Sequence, residues 1–141
     1  NDDQIAAIAT LVQKHRIDAV IATNTTVTRP GLEGEKLAQQ AGGLSGRPLK
    51  TLSTSVIRRL YAHLQGKIPI IGVGGIENAD DAWDKLVAGA DLVQVYSVLI
   101  YEGPSVVREI LEGLADRVTT SGCATLTEAI AKARGISSSS P

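Results

Sequence analysis

The sequence contains no phenylalanine and no methionine, and only 3% of its residues are aromatic. This scarcity leaves few side chains on which nucleic-acid bases stack. The net charge is −1, from 14 basic and 15 acidic residues, so no excess of positive charge attracts a phosphate backbone. Both observations predict that nucleic acid is not a partner.

Cysteine and histidine are nearly absent as well. Cys123 is the single cysteine, which excludes a disulfide within the chain. No CxxC motif or Cys/His spacing indicates zinc, and we predict no metal site. His15 and His63 lie among polar neighbours on helical stretches, so we expect both to be exposed to solvent.

Long hydrophobic runs are also missing. None approaches the roughly 20 residues that cross a bilayer, and no signal peptide is recognisable. We therefore expect the chain to be soluble and to make no membrane contact itself.

The chain is long enough for one hydrophobic core, because it has 141 residues of which 43% are hydrophobic. Three short apolar runs, at 19–23, 69–73 and 92–95, are typical of parallel strands covered on both faces. Helical patterns lie between and around them, with predicted starts at Asp2 or Asp3, Ser53 or Thr54, Asn78, Pro104 and Thr125. The alternation predicts a parallel α/β fold.

Length limits which α/β fold is expected. A complete (β/α)8 barrel takes roughly 250 residues, and the chain begins at Asn1, without Met, directly in a helix cap. We therefore predict the C-terminal part of such a barrel in residues 1–135, followed by a frayed Ser-rich tail at 136–141. A small open sheet complete in itself is the second choice, since three strands form a poor sheet with two covered faces.

Two neighbouring segments suggest a phosphate site. The apolar strand of 70–76 ends in Gly74-Gly75, and one helix later the strand of 92–97 ends in Tyr96-Ser97. In (β/α)8 barrels the loops after strands seven and eight commonly bind phosphate at the C-terminal face. Glycines allow backbone N–H groups to approach the oxygens. An ordinary βαβ unit with a tight turn is the alternative.

Two further segments carry polar groups that suit a planar ligand. Thr23-Asn24-Thr25-Thr26 follows the first strand, and the Asn24 carboxamide offers both a donor and an acceptor to a lactam or imide edge. The alternative is an Asn/Thr turn that closes the strand. Residues 42–49 contain three glycines within five residues, which allows backbone to lie flat against a planar ring.

These four segments together resemble the dihydroorotate dehydrogenases, especially their quinone-dependent, membrane-associated class. The motifs 23–26, 42–49, 71–76 and 93–97 occur in the family's order and with its spacing. The resemblance implies a (β/α)8 barrel that binds FMN and oxidises dihydroorotate to orotate in pyrimidine synthesis. The three predicted strands are then barrel strands six, seven and eight.

The resemblance also implies roles for individual residues. Thr23 is expected to contact the flavin, and Gly46 to belong to the glycine turn beside FMN. Asn24 and Thr25 are expected to hydrogen-bond the pyrimidine.

Three more residues are implied to hold the FMN phosphate, namely Gly75, Tyr96 and Ser97. Gly75 and Ser97 are expected to do so through backbone N–H groups, which agrees with the phosphate site inferred from the glycine turn.

Several parts of the family's machinery have no counterpart here. The family's catalytic base is a Ser, or a Cys in the soluble class, on an earlier barrel loop. That loop, the flavin-contacting Lys residues, the upstream Asn ligands and the N-terminal helices that form the quinone tunnel are all absent from the sequence. We therefore predict no catalytic residue in this chain, and Cys123 is expected to be a structural thiol.

The resemblance further implies that the full-length protein is peripheral on the inner membrane, on the bacterial cytoplasmic side or in mitochondria. Two alternatives remain at this point. One is a non-catalytic half-barrel fragment, and the other is a different FMN- or phosphate-binding barrel oxidoreductase.

Overall fold

A computed structural model describes residues 1–29, 31–32 and 34–135, so the predicted Ser-rich tail at 136–141 lies outside the described residues. Three strands alternate with helices within this part. The elements in chain order are α1 (Asp2–Lys14), β1 (Val20–Ala22), α2 (Lys50–Leu64), β2 (Ile70–Val73), α3 (Ala79–Ala88), β3 (Leu92–Gln94), α4 (Ser97–Glu102), α5 (Ser105–Ser121) and α6 (Leu126–Ala133). Short 3-10 helices span Lys36–Gln39 and Arg47–Leu49.

The three strands form one parallel sheet in the order β1-β2-β3. Val20 lies opposite Ile70 in the first pair, and Ile71 lies opposite Leu92 in the second. The predicted parallel α/β arrangement is confirmed for this part of the chain. Each strand is one or two residues shorter than the apolar run that predicted it.

One face of the sheet packs against helices. Ala22 and Ile70 belong to a core with Ile57 and Leu64 of α2, to which α1 also contributes. A second core joins α3, α4 and α5, and Val93 of β3 packs against it. Side chains alternate between faces along a strand, so these residues all lie on the helix-covered face.

The opposite face of the sheet is open. Ile21 of β1 is 61% exposed and Leu92 of β3 is 60% exposed, with Ile71 between them in register. The expectation of strands covered on both faces is therefore wrong for the described part of the chain. The apolar runs predicted burial, whereas in the structure alternate residues of β1 and β3 face solvent.

Two predicted helix starts need correction. Asn1 caps α1 by accepting from the Gln4 N–H at 3.0 Å, in place of Asp2 or Asp3. Helix α2 begins at Lys50, not at Ser53 or Thr54, because the 3-10 turn of Arg47–Leu49 leads directly into it. Asn78 and Thr125 cap α3 and α6 as predicted.

Helix α4 was not predicted; it begins immediately after the third strand, where the sequence suggested only the end of a strand. Pro104 precedes the first residue of α5, close to its predicted place in the first turn. His15 and His63 are exposed, as expected, and Cys123 is a half-buried free thiol. Within the part of the chain that is described, no helix is both long and apolar enough to cross a membrane.

Candidate functional site

A cavity of about 1120 Å³ lies at the carboxyl ends of the three strands. Residues that follow β1, β2 and β3 line it, together with the segment that leads into α2. Parallel strands bring their carboxyl ends to one edge of the sheet, which is where α/β enzymes place their sites. All seven residues selected from the sequence line this cavity: Thr23, Asn24, Thr25, Gly46, Gly75, Tyr96 and Ser97.

The polar segment after β1 forms a local turn. The Thr23 N–H donates to the Val73 carbonyl at 3.1 Å, which extends the pairing between β1 and β2 by one bond. The Asn24 Oδ1 accepts from the Thr25 N–H at 2.7 Å. Among the described residues, the Asn24 amide nitrogen donates to no partner, so its two N–H groups are available to a ligand. Asn24 therefore serves the turn with its oxygen and offers donors to the cavity.

Arg29 binds the start of residues 42–49, called the glycine segment below, beside this turn. Its guanidinium donates to the carbonyls of Thr26 at 3.0 Å and Ala38 at 3.2 Å, and also to those of Gln40 and Gly42. Thr26 and Leu44 form an antiparallel bridge next to it. A guanidinium presents five donors in a fixed plane, so one side chain fixes several carbonyls of an irregular loop.

The glycine segment approaches the other cavity walls closely. A Cβ added at Gly43 would lie 1.8 Å from the Thr25 Oγ1, so only glycine allows this approach. Gly46 has φ of +79° and lies beside Ser97, whose hydroxyl donates to the Ser45 Oγ at 3.1 Å. The ends of β1 and β3 are thus joined through the glycine segment.

The turn after β2 is seated on the first turn of α2. Gly74 and Gly75 have φ of +111° and +70°, conformations that favour glycine. A Cβ at Gly75 would lie 2.5 Å from the Lys50 backbone nitrogen. The Ser53 hydroxyl donates to the Gly74 carbonyl at 2.9 Å. Two contacts therefore define where the glycine turn lies.

Charged groups surround this turn. Arg47 forms an ion pair with Glu77 at 2.8 Å, which links the α2 approach to the loop after β2. Lys50 pairs with the buried carboxylate of Asp81, and the hydrogen bond from this pair raises the pKa of Lys50. Asp81 also accepts from the Glu77 N–H at 2.9 Å. Both cations thus have carboxylate partners on the β2–α3 side.

Some lining residues were missed from the sequence. Glu77, Glu102 and Glu109 line the cavity, although no motif marked them. Glu102 is the last residue of α4, a helix that was not predicted, and Glu109 lies on α5. Cys123 is not among the lining residues. In the described ranges, no group of three or more His, Cys, Asp or Glu side chains is placed to hold a metal ion.

Comparison with known proteins assigns the chain to a family. The family described as Dihydroorotate dehydrogenase matches residues 1–118. The chain belongs to the dihydroorotate dehydrogenase family. Among its relatives is the dihydroorotate dehydrogenase (quinone) of Thiobacillus denitrificans, with 57% identity over 82% of the chain and 34% of the relative. That of Streptomyces griseus is 52% identical over 92% of the chain and 36% of the relative.

Solved structures agree with this assignment. Dihydroorotate dehydrogenase of Eimeria tenella in complex with ferulenol superposes with a TM-score of 0.85 at 37% identity, covering 92% of the chain and 35% of that structure. The ligand-free form has the same TM-score at 35% identity, covering 99% and 38%. The chain thus spans about a third of the length of the dihydroorotate dehydrogenases that it matches.

Proposed function

We propose that this chain supplies strands six, seven and eight of a (β/α)8 barrel that binds FMN and oxidises dihydroorotate to orotate, with quinone as electron acceptor. The observation that carries the proposal is the convergence of four separate segments on one cavity. The seven selected residues come from the ends of all three strands and from the glycine segment, and all of them line it.

The residues around the cavity fit a flavin phosphate. Gly74 and Gly75 of the glycine turn line the cavity, and so does Ser97. Arg47 and Lys50 are the neighbouring cations, and each is paired with a carboxylate, Glu77 or Asp81. Backbone N–H groups, hydroxyls and nearby cations are the groups that bind phosphate in proteins.

Other lining residues of the cavity fit a planar ring system. Ile21, Leu44 and Val73 provide apolar lining, and Thr23 also lines the cavity. Gly46, which has no side chain, lines the cavity as well. FMN, when bound, accepts the hydride that the substrate loses. This chain would hold the flavin in the orientation that the transfer needs.

Asn24 and Thr25 are the proposed substrate-binding residues. The free N–H groups of the Asn24 carboxamide suit the carbonyl oxygens of a pyrimidine, while its oxygen keeps the turn in place by binding Thr25. Thr25 adds a hydroxyl at the same edge. In this proposal, no side chain of the chain takes the substrate proton; that base lies on an earlier barrel segment, outside this sequence.

We propose that quinone and the membrane are bound by other segments of the full-length protein. The relatives are named as quinone enzymes, and we infer the same acceptor and a peripheral position on the inner membrane for the full-length protein. Both properties would depend on an N-terminal region, and this chain would not contact quinone or lipid.

The proposal is tested by comparing the chain with the full-length protein that it requires. We expect the full-length protein to bind FMN and to reduce a quinone analogue when dihydroorotate is added. We expect the 141-residue chain alone to show no dihydroorotate-dependent reduction of a dye. Turnover by the chain alone near the full-length rate would contradict the absence of a base. A full-length protein without FMN would refute the proposed function.

A further inference from the structure

Lys85 is the largest side chain that the core encloses completely. It lies on α3 and has 0% exposure, on the side of the sheet that packs against helices. Its ammonium donates to three oxygens of the first turn of α2. These are the Lys50 carbonyl at 2.7 Å, the Ser53 Oγ at 2.5 Å and the Thr54 Oγ1 at 2.6 Å.

Burying an ammonium that has no carboxylate partner costs free energy of folding. Such a position therefore calls for an explanation. Asp81 and Asp84 lie on the same helix, but both carboxylates are directed to Lys50. Desolvation therefore lowers the pKa of Lys85 to about 8, against the attraction of these two carboxylates. An apolar residue of similar length would fill this space without the desolvation penalty.

The ammonium acts on the glycine turn through Ser53. Because Lys85 donates to the Ser53 Oγ, the single hydroxyl hydrogen of Ser53 is free for another acceptor. The nearer acceptor is the Gly74 carbonyl at 2.9 Å, compared with the Lys50 carbonyl at 3.3 Å. Lys85, Ser53 and Gly74 thus form a directed hydrogen-bond chain from α3 to the turn after β2.

Packing holds the next residue of the turn to the same support. The Gly75 α-carbon is so close to Lys50 that an added Cβ would lie 2.5 Å from its backbone nitrogen and 2.6 Å from its Cα. Lys50 and Ser53 are two of the three residues whose oxygens Lys85 binds. The ammonium therefore fixes the surface on which both glycines rest.

We propose that Lys85 is a positioning residue for phosphate binding, which acts through Ser53 and the first turn of α2 to hold Gly74 and Gly75 in an anion-binding arrangement. The inference rests on the proposed function, because it takes the phosphate of FMN as the anion. Lys85 does not line the cavity, so its effect on the ligand is indirect. Its positive charge also lies behind the turn and favours an anion in front of it.

The test compares FMN with riboflavin, which has the same ring system without the phosphate. In the full-length protein, Lys85→Met keeps an unbranched side chain that is one heavy atom shorter, and removes the ammonium. We expect the affinity for FMN to fall ten- to a hundredfold and the affinity for riboflavin to change less than threefold. The matched control is Lys67→Met, at an exposed lysine between α2 and β2, which should change neither affinity.

A second variant keeps the inference testable if Lys85→Met does not fold. Ser53→Ala removes only the hydroxyl that links Lys85 to Gly74, and we expect three- to tenfold weaker FMN binding with riboflavin unchanged. Ser55→Ala, two residues along the same helix, is its control. A general loss of packing would weaken both flavins equally, and that result would overturn the inference.

The outcomes also separate this inference from the proposed function. If the unmodified protein prefers FMN to riboflavin and both variants keep that preference, only the role of Lys85 is refuted. If the unmodified protein binds neither flavin, the proposed function fails and the inference fails with it.

Discussion

The hydroxyls of Ser45 and Ser97 lie 3.1 Å apart although 52 residues separate them in the sequence. Ser45 belongs to the glycine segment before α2, and Ser97 is the first residue of α4, which follows β3. This bond closes the cavity between the first and third strand ends. A site assembled in this way depends on the glycine segment as much as on the strands.

The first prediction concerns Gly75. In Gly75→Ala, the new Cβ would lie 2.5 Å from the Lys50 backbone nitrogen, at a φ of +70°. We expect the turn to move and the full-length protein to lose FMN affinity at least tenfold. Gly66→Ala is the matched control: Gly66 has φ of +73° but open space around its Cβ position. It shares the backbone strain of about 1–2 kcal/mol and should retain flavin. Equal flavin content in both variants after dialysis would contradict the prediction.

The second prediction separates substrate binding from cofactor binding at Asn24. In Asn24→Ala of the full-length protein, we expect FMN to remain bound and orotate to bind about ten- to a thousandfold more weakly. Each hydrogen bond lost from a buried polar ligand commonly costs about 1–3 kcal/mol. Titration of the flavin absorbance with orotate measures the change.

The structure makes a control for this variant necessary, because Asn24 also stabilises a turn through Thr25. Asn78→Ala removes the cap of α3, where the Asn78 Oδ1 accepts from the Asp81 N–H at 3.0 Å. It should lower stability by about 0.5–2 kcal/mol and leave orotate affinity unchanged. If Asn24→Ala behaves in the same way, Asn24 forms a turn and does not bind the substrate.

The third prediction concerns Arg29, which binds the carbonyls of Thr26, Ala38 and Gly42 and so joins the turn after β1 to the start of the glycine segment. In Arg29→Met, several charge-assisted hydrogen bonds are lost together. We expect a loss of about 2 kcal/mol in the free energy of unfolding, since such bonds contribute roughly 1.5–3 kcal/mol each and are not additive. Limited proteolysis should cleave between 31 and 44 faster. Arg58→Met, at an exposed position on α2, is the control, and equal cleavage rates would contradict the prediction.

The fourth prediction is a pH dependence of stability that originates at Lys85. Burial lowers the pKa of Lys85 from its ordinary value of 10.5 to about 8. Between these values the unfolded chain binds a proton that the folded chain lacks. The free energy of unfolding therefore rises with pH in this window, by at most about 1.4 kcal/mol per pH unit.

Urea unfolding at pH 7.5 and pH 9.5 tests this dependence, with Lys85→Met as the reference for all other groups. We expect the unmodified protein to gain up to about 2 kcal/mol more than the variant. The charged groups facing Lys85 are Asp81, Asp84 and Lys50. The hydrogen bond to Asp81 raises the pKa of Lys50. An identical pH response in the two proteins would show that Lys85 titrates normally.

Periodicity and glycine patterns predicted a large part of the fold and of the cavity. The three apolar runs became the three strands, because a parallel strand needs an uninterrupted apolar sequence on its covered positions. The turns at Asn24 and Gly75 were found because strand ends in a parallel sheet meet at one edge. Their roles in ligand binding stay predictions.

Other features depend on contacts that no local pattern expresses. Ser53 has the residue type of a helix cap, yet it is buried and binds the Gly74 carbonyl, while the helix starts three residues earlier. Lys85 resembles a solvated lysine on an amphipathic helix until its three partners from α2 are known. Burial of Ile21 and Leu92 was overestimated, since hydrophobicity does not say which neighbour covers a residue.

The open face of the sheet has a practical consequence for handling the chain by itself. In the described sheet, β1 and β3 are both edge strands, and each has an exposed aliphatic side chain, Ile21 or Leu92. Unpaired strand edges next to an apolar surface favour edge-to-edge association with other chains. We expect solutions of the isolated chain to form β-rich aggregates at increasing concentration, to a greater degree than the full-length protein. Light scattering as a function of concentration, measured on the isolated chain and on the full-length protein, would therefore show how far the open face limits the solubility of the isolated chain.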